Sequence, residues 1–117
     1  MPQFLVAIHH PDNFDPSMVD QTTMHDIHEL NKEMIAAGIR VFVGGLESAR
    51  NAKSIRLRPG GEAVLTDGPY LEAKEHVGGF WVLECKDLDD ALAWGRKAAA
   101  ACRASVEVRA FHPPLAK

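Results

Sequence analysis

No stretch of this chain approaches the roughly 18 consecutive apolar residues that a helical membrane span requires, so no membrane partner is expected. The first residues lack the basic region and long apolar run of a secretory signal, and a cytoplasmic protein is expected. Cysteine is scarce. Cys85 and Cys102 are too few for a disulfide scaffold and fit a reducing compartment. Neither has the His–Asn or Cys-x-x-Cys context of a nucleophilic or redox cysteine. Positive charge is not in excess: 13 Lys and Arg stand against 16 Asp and Glu, and they are scattered, which argues against a nucleic-acid partner. There is no glycine-rich phosphate loop and no nucleotide fingerprint, so no cofactor is expected. Repeats and low-complexity segments are also missing. A length of 117 residues then suits one core, and a single domain over 1–117 is expected.

What remains reads as alternating strands and helices. Phe4 to Ile8 is a continuous apolar run, the pattern of a strand buried on both faces, and Pro11 stops it after His9-His10. Asp15 and Pro16 offer an N-cap and an N1 proline. From there to Ala37, Met24, Ile27, Leu30, Met34 and Ile35 recur at helical spacing, and Gly38 closes the helix. Ile39 to Val43 is a second strand, broken by Gly44-Gly45. Ser54–Arg58 and Glu62–Thr66 flank Pro59-Gly60-Gly61 as an extra hairpin. Phe80 to Glu84 is the next strand. Asp87 caps a second helix whose inner face carries Leu88, Ala91, Leu92, Gly95 and Ala99, and Ser105 to Arg109 is the last strand. This order predicts an α+β, ferredoxin-like split β-α-β sheet with both helices on one face. Its second face would be apolar and bare. A second copy of the chain is the simplest cover, giving a dimeric α+β barrel.

The distinctive stretch is Asp67-Gly68-Pro69-Tyr70-Leu71-Glu72-Ala73-Lys74-Glu75-His76-Val77-Gly78-Gly79-Phe80. Asp-Gly-Pro turns tightly, because Asp bonds its own downstream backbone, Gly tolerates positive φ and Pro fixes φ. A hairpin could close in about two to five residues. The extra length predicts a loop with a task.

Asp67-Gly68-Pro69-Tyr70 followed by Glu72, Lys74-Glu75 and Gly78-Gly79-Phe80 resembles the signature of the DGPF proteins within the YCII-related family, with Tyr70 where Phe is usual. Gly44-Gly45-Leu46, Asp87 to Trp94 and Val106 to Arg109 extend the likeness over nearly the whole chain. The resemblance implies the dimeric barrel and a cleft containing Asp67. In the broader family a His and an Asp have been read as an acid–base pair, one relative removes chloride from a hydroxylated aromatic ring, and DGPF genes often neighbour those of extracytoplasmic-function sigma factors.

The candidate catalytic residues are therefore Asp67, His28 and His25. Asp67 ends a strand among apolar neighbours, where a carboxylate can act as general acid or base. His28 flanks the stripe of the first helix, and histidine titrates near neutral pH. The bland alternatives are a turn-capping Asp and two solvated histidines. His9, Tyr70 and Lys74 are candidate ligand-binding residues: His9 ends the first strand, while Tyr70 and Lys74 belong to the loop. His9, His10, His25, His28 and Asp67 have metal-compatible chemistry but form no recognised metal motif. Two readings stay open. One is an acid–base enzyme (lyase, isomerase or dehalogenase-like) on a small polar or hydroxyaromatic substrate. The other is a non-catalytic dimer binding a ligand or a partner linked to sigma-factor signalling.

Overall fold

Eight principal elements follow one another in the structure, a computed structural model that describes residues 1–113: β1 (Gln3–Pro11), α1 (Gln21–Ala36), β2 (Arg40–Gly45), β3 (Lys53–Leu57), β4 (Ala63–Asp67), β5 (Glu75–Glu84), α2 (Leu88–Cys102) and β6 (Ser105–Ala110). Residues 114–117 of the expected domain lie outside the described residues. The main sheet has four strands in the order β2-β5-β1-β6. β5 is antiparallel to both β1 and β2, so β1 and β2 run the same way on either side of it. That is the split β-α-β of a ferredoxin-like α+β fold. β3 and β4 form a separate two-stranded sheet, the expected extra hairpin.

Register explains the layering. Phe4 faces Leu83 and Val6 faces Trp81, and residues paired across strands share a face. This face packs against Leu30 and Met34 of α1 and Ala91, Ala98 and Ala101 of α2. Asn31 anchors α1 to the sheet. Its Oδ1 accepts from the buried Trp81 indole at 2.9 Å and from Arg40 at 3.2 Å. A buried indole N–H without such an acceptor would cost about 1–3 kcal/mol.

Several boundaries differ from the sequence reading. Asp15 caps only a short turn, Pro16–Met18, where its carboxylate accepts from Ser17 N–H. Val19 is extended, and α1 starts afresh because Asp20 accepts from Thr23 N–H at 2.8 Å. Each cap holds its carboxyl below the usual range through the backbone N–H it accepts. The buried stripe also differs: Thr23, Leu30 and Met34 are inside, whereas Met24 and Ile35 are exposed. Gly44 and Gly45 continue β2 instead of breaking it. β5 begins at Glu75, not Phe80, because its first residues find ladder partners in His9–Pro11. The long loop thus shrinks to 68–74. The cap of α2 stands as read: Asp87 accepts from Asp90 N–H at 2.9 Å.

Gly95 sets the distance between α2 and β6. A Cβ there would lie 2.7 Å from Val108 Cγ2, and valine is stiff at χ1. Gly95→Ala gains about 1 kcal/mol of helix propensity but incurs about 1–3 kcal/mol of overpacking. Urea denaturation should show a net loss of roughly 1 kcal/mol, and an unchanged or raised midpoint would contradict this packing.

Candidate functional site

The site begins with an irregularity. β1 and β5 pair regularly from Gln3↔Glu84 to Ile8↔Gly79, then the register slips so that His9 meets Val77, His10 meets His76 and Pro11 meets Glu75. Gly78 is the extra residue of this bulge, and bulges re-aim side chains. His10 and His76 become cross-strand neighbours. Asp12 N–H donates to Lys74 C=O at 2.8 Å, which carries the pairing one step past Pro11. Asp12 is thereby delivered to His76, whose Nε2 lies 3.0 Å from the Asp12 carboxylate. The His76 side chain is only 18% exposed.

His10 is clamped from two sides. Its ring stacks on Phe14 with centroids 3.7 Å apart and planes 4° from parallel. Its edge rests against Gly78, where a Cβ would sit 2.2 Å from His10 Cδ2. Only glycine leaves that room. Partial burial, with the neighbouring His9 adding to it, holds the His10 pKa below the ordinary imidazole value.

These side chains line a cleft of about 240 Å³, walled by the β1–α1 connection and by the segment after β2. Leu46 N–H donates to Gly78 C=O at 2.8 Å and pins the second wall. A neighbouring apolar hollow of about 170 Å³ shares His10, Gly45 and Gly78 with the cleft and is backed by Ile27, Val43 and Trp81. On the other side a shallow depression joins Asp12 and His76 to Asp67, Arg50 and Glu72.

Asp67 thus lies in this depression and not in the cleft. Its side chain is 87% exposed and ion-paired with Lys53, its cross-strand partner. Gly68, at φ 90°, turns the chain back over the hairpin, donating to Ala52 C=O at 2.7 Å and accepting from Ser54 Oγ at 2.8 Å. The Arg56 guanidinium sits 4.5 Å over the Tyr70 ring and donates to Tyr70 C=O. The signature turn is therefore fastened to β3.

His25 and His28 lie on the exposed face of α1 and line neither the cleft nor the depression. His9 Nε2 is buried with no hydrogen-bond partner among the described residues, beside a hollow it shares with His10 and Arg103. Tyr70 borders another hollow with Leu46 and His76. Lys74 contributes its main-chain carbonyl, and its side chain is in solvent. Among the described residues no three of His, Cys, Asp and Glu converge as metal ligands. Both cysteines are free, and burial pushes each thiol up to about 11, which keeps them protonated at neutral pH.

Sequence reasoning missed Asp12 and His76. A signal existed for His76, a histidine inside the signature itself. Asp12 had none, since it follows the proline that ends the apolar run. Chemically, an imidazole held through one nitrogen by a carboxylate keeps the other for proton exchange.

The YCII-related domain matches residues 1–113 of the chain. An uncharacterized protein of Rhizobium meliloti (strain 1021) is 33% identical over 77 residues, covering 66% of this chain. The match spans 61% of that relative's own length.

The His10 shift has a consequence for stability. Its folded pKa lies below its unfolded value, so in that interval the unfolded chain binds more protons and stability rises with pH. Stability should fall as pH drops below about 6.5, with the loss complete once pH is below the folded value. Urea midpoints measured across pH 5–8 check this. His10→Gln should flatten the slope relative to wild type, and an identical slope would contradict the assignment.

Proposed function

The chain belongs to the YCII-related family, and from that membership and the geometry of the cleft we propose that it is a cytoplasmic acid–base enzyme acting on a small polar substrate. The observation that carries this reading is the His76–Asp12 pair, 3.0 Å apart, with the imidazole shielded and the carboxylate open to solvent beside a cleft of about 240 Å³. His76 moves the proton, Asp12 orients and balances its ring, and His10 forms the wall beside it. Asp67 lies outside the cleft, in the depression on the far side of Asp12 and His76. Such a pair suits reactions that need only proton transfer, of the lyase, isomerase or dehalogenase-like kind, on a polar or hydroxyaromatic molecule, with no cofactor. The candidate pair inferred from sequence, Asp67 with His28 or His25, gives way to His76 with Asp12.

A second reading is favoured by one observation: the signature carboxylate, Asp67, is exposed and engaged by Lys53, as a purely structural turn residue would be. In that reading the protein is a non-catalytic dimer that binds a ligand or a partner in sigma-factor signalling. Turnover separates the two. With a panel of small halogenated, hydroxylated and enolisable acids and phenols as probes, His76→Gln should lower kcat by about 10²–10⁴-fold with KM little changed. His28→Ala should leave kcat intact. Full turnover in His76→Gln, or no turnover of any probe by wild type, would favour the binding module.

The protein works as a homodimer in this account. Leu5, Ala7, Phe80, Val82 and Phe42 share the sheet face turned away from the helices, with Glu107 and Arg109 of β6 at its edge; Phe42 is 52% exposed, while Leu5, Phe80 and Val82 are half-buried. A sheet face with apolar residues and no helix over it calls for a covering layer. Analytical ultracentrifugation at micromolar concentration should show a dimer, and a stable monomer would refute it.

A further inference from the structure

At the cleft end of the main sheet, the side that faces the helices is short of side chains. Val43 opposite Trp81 is the last filled pair of β2 and β5 on that side, and both pack on the core. The next pair on the same side is Gly45 opposite Gly79. Ile8 of β1 and Ile27 of α1 flank the space, and the apolar hollow of about 170 Å³ is what remains. Among the described residues no Asp, Glu, Lys or Arg lines it.

The two glycines answer different needs. A Cβ on Gly79 would lie 3.0 Å from Gly44 C=O and 3.2 Å from Gly45 Cα, so strand packing demands glycine there. Gly45 has no positive φ. Apart from its chain neighbours, the nearest described atom to a Cβ on Gly45 is Gly78 C=O, at 4.0 Å. Neither backbone nor packing asks for glycine at 45, in a strand that glycine weakens. Its bare backbone leaves open space, with the cleft on one side and the hollow on the other.

We propose that the hollow is the subsite for the apolar end of the ligand whose polar end is met by His76 and Asp12, and that Gly45 keeps the two spaces connected. The inference rests on the acid–base reading above and adds the shape of the molecule: a polar head on an apolar tail of about six carbons. Volume supports the pairing. The cleft, at about 240 Å³, falls below the roughly 300 Å³ at which ligand pockets usually begin, and the hollow brings the joint site into that range. An apolar cavity of about 150 Å³ accepts one benzene molecule, which sets the capacity of the hollow at about six carbon atoms. The two spaces share His10, Val19, Gly45 and Gly78 as a common boundary. His10 fills the space over Gly78, which leaves Gly45 as the stretch of that boundary with nothing above it.

Straight-chain 1-alkanols from ethanol to octanol carry one uncharged head on tails of increasing length, and NMR titration of the ¹⁵N-labelled protein reads their binding. Affinity should rise about fourfold per methylene until the hollow is full, at about six carbons, and level off beyond it. Amides of Asp12 and His76 should shift with every member that binds, and those of Ile27 and Val43 only with the longer ones. Gly45→Leu should stay folded, with a urea midpoint no lower than that of wild type, and lose the gain with length. Shifts at Asp12 and His76 with flat affinity along the series, or a wild-type slope in folded Gly45→Leu, overturn the subsite and leave the acid–base cleft standing. Length-dependent shifts at Ile27 and Val43 with Asp12 and His76 unmoved overturn the spanning ligand and the acid–base cleft together. Absence of saturable binding by every alkanol also overturns the subsite. Intermolecular nuclear Overhauser effects need no substitution: the terminal methyl of hexanol should meet the methyl groups of Ile27 and Val43, and contacts confined elsewhere overturn the subsite.

Discussion

Everything distinctive about the cleft depends on the pairing of β5 with β1 beyond the bulge at Gly78. Without the slipped register, His76 would not face His10 and Asp12 would not reach His76. Backbone ladder bonds provide the framework. Side-chain contacts then set the orientation, through the flat stack of His10 on Phe14 and the bonded approach of Asp12 to His76. The glycine doublet is a steric requirement of this arrangement: a Cβ on Gly78 would occupy the space His10 uses, and one on Gly79 would lie 3.0 Å from Gly44 C=O.

The signature stretch divides its work. Its first part, Asp67 to Tyr70, is fastened to the hairpin by Lys53, Ser54 and Arg56. Its last part, Glu75 to Phe80, is strand, and carries His76 and the glycines. Only the short span 68–74 between them is loop. One motif therefore joins the projecting hairpin to the strand that carries His76.

Much of the fold was legible in the sequence because it rests on local chemistry. The N-cap at Asp87, the turn at Pro59-Gly60-Gly61 and the apolar run at Phe4 each name an element without reference to distant residues. The errors came where a partner far along the chain decides. Glu75 to Gly79 has poor strand propensity, and is a strand because His9 to Pro11 offers it a ladder. The first helix carried two caps in tandem, Asp15 and Asp20, and the second determined where α1 begins. The face packed on the sheet carries Thr23, Leu30 and Met34, which leaves His25 and His28 in solvent. The site was legible only as a stretch. Its family resemblance pointed to Asp67, whereas the imidazole–carboxylate contact joins residues 12 and 76, a pairing that no spacing rule contains.

The central claim is that a ligand of this protein is met by the His76–Asp12 pair. Titration of the ¹⁵N-labelled protein with small acids and phenols, followed by amide chemical shifts, addresses it most directly. The account predicts saturable shifts grouped at His10, Asp12, Leu46, His76 and Gly78. Saturable shifts grouped along α1 around His25 and His28, with His76 unmoved, would contradict it.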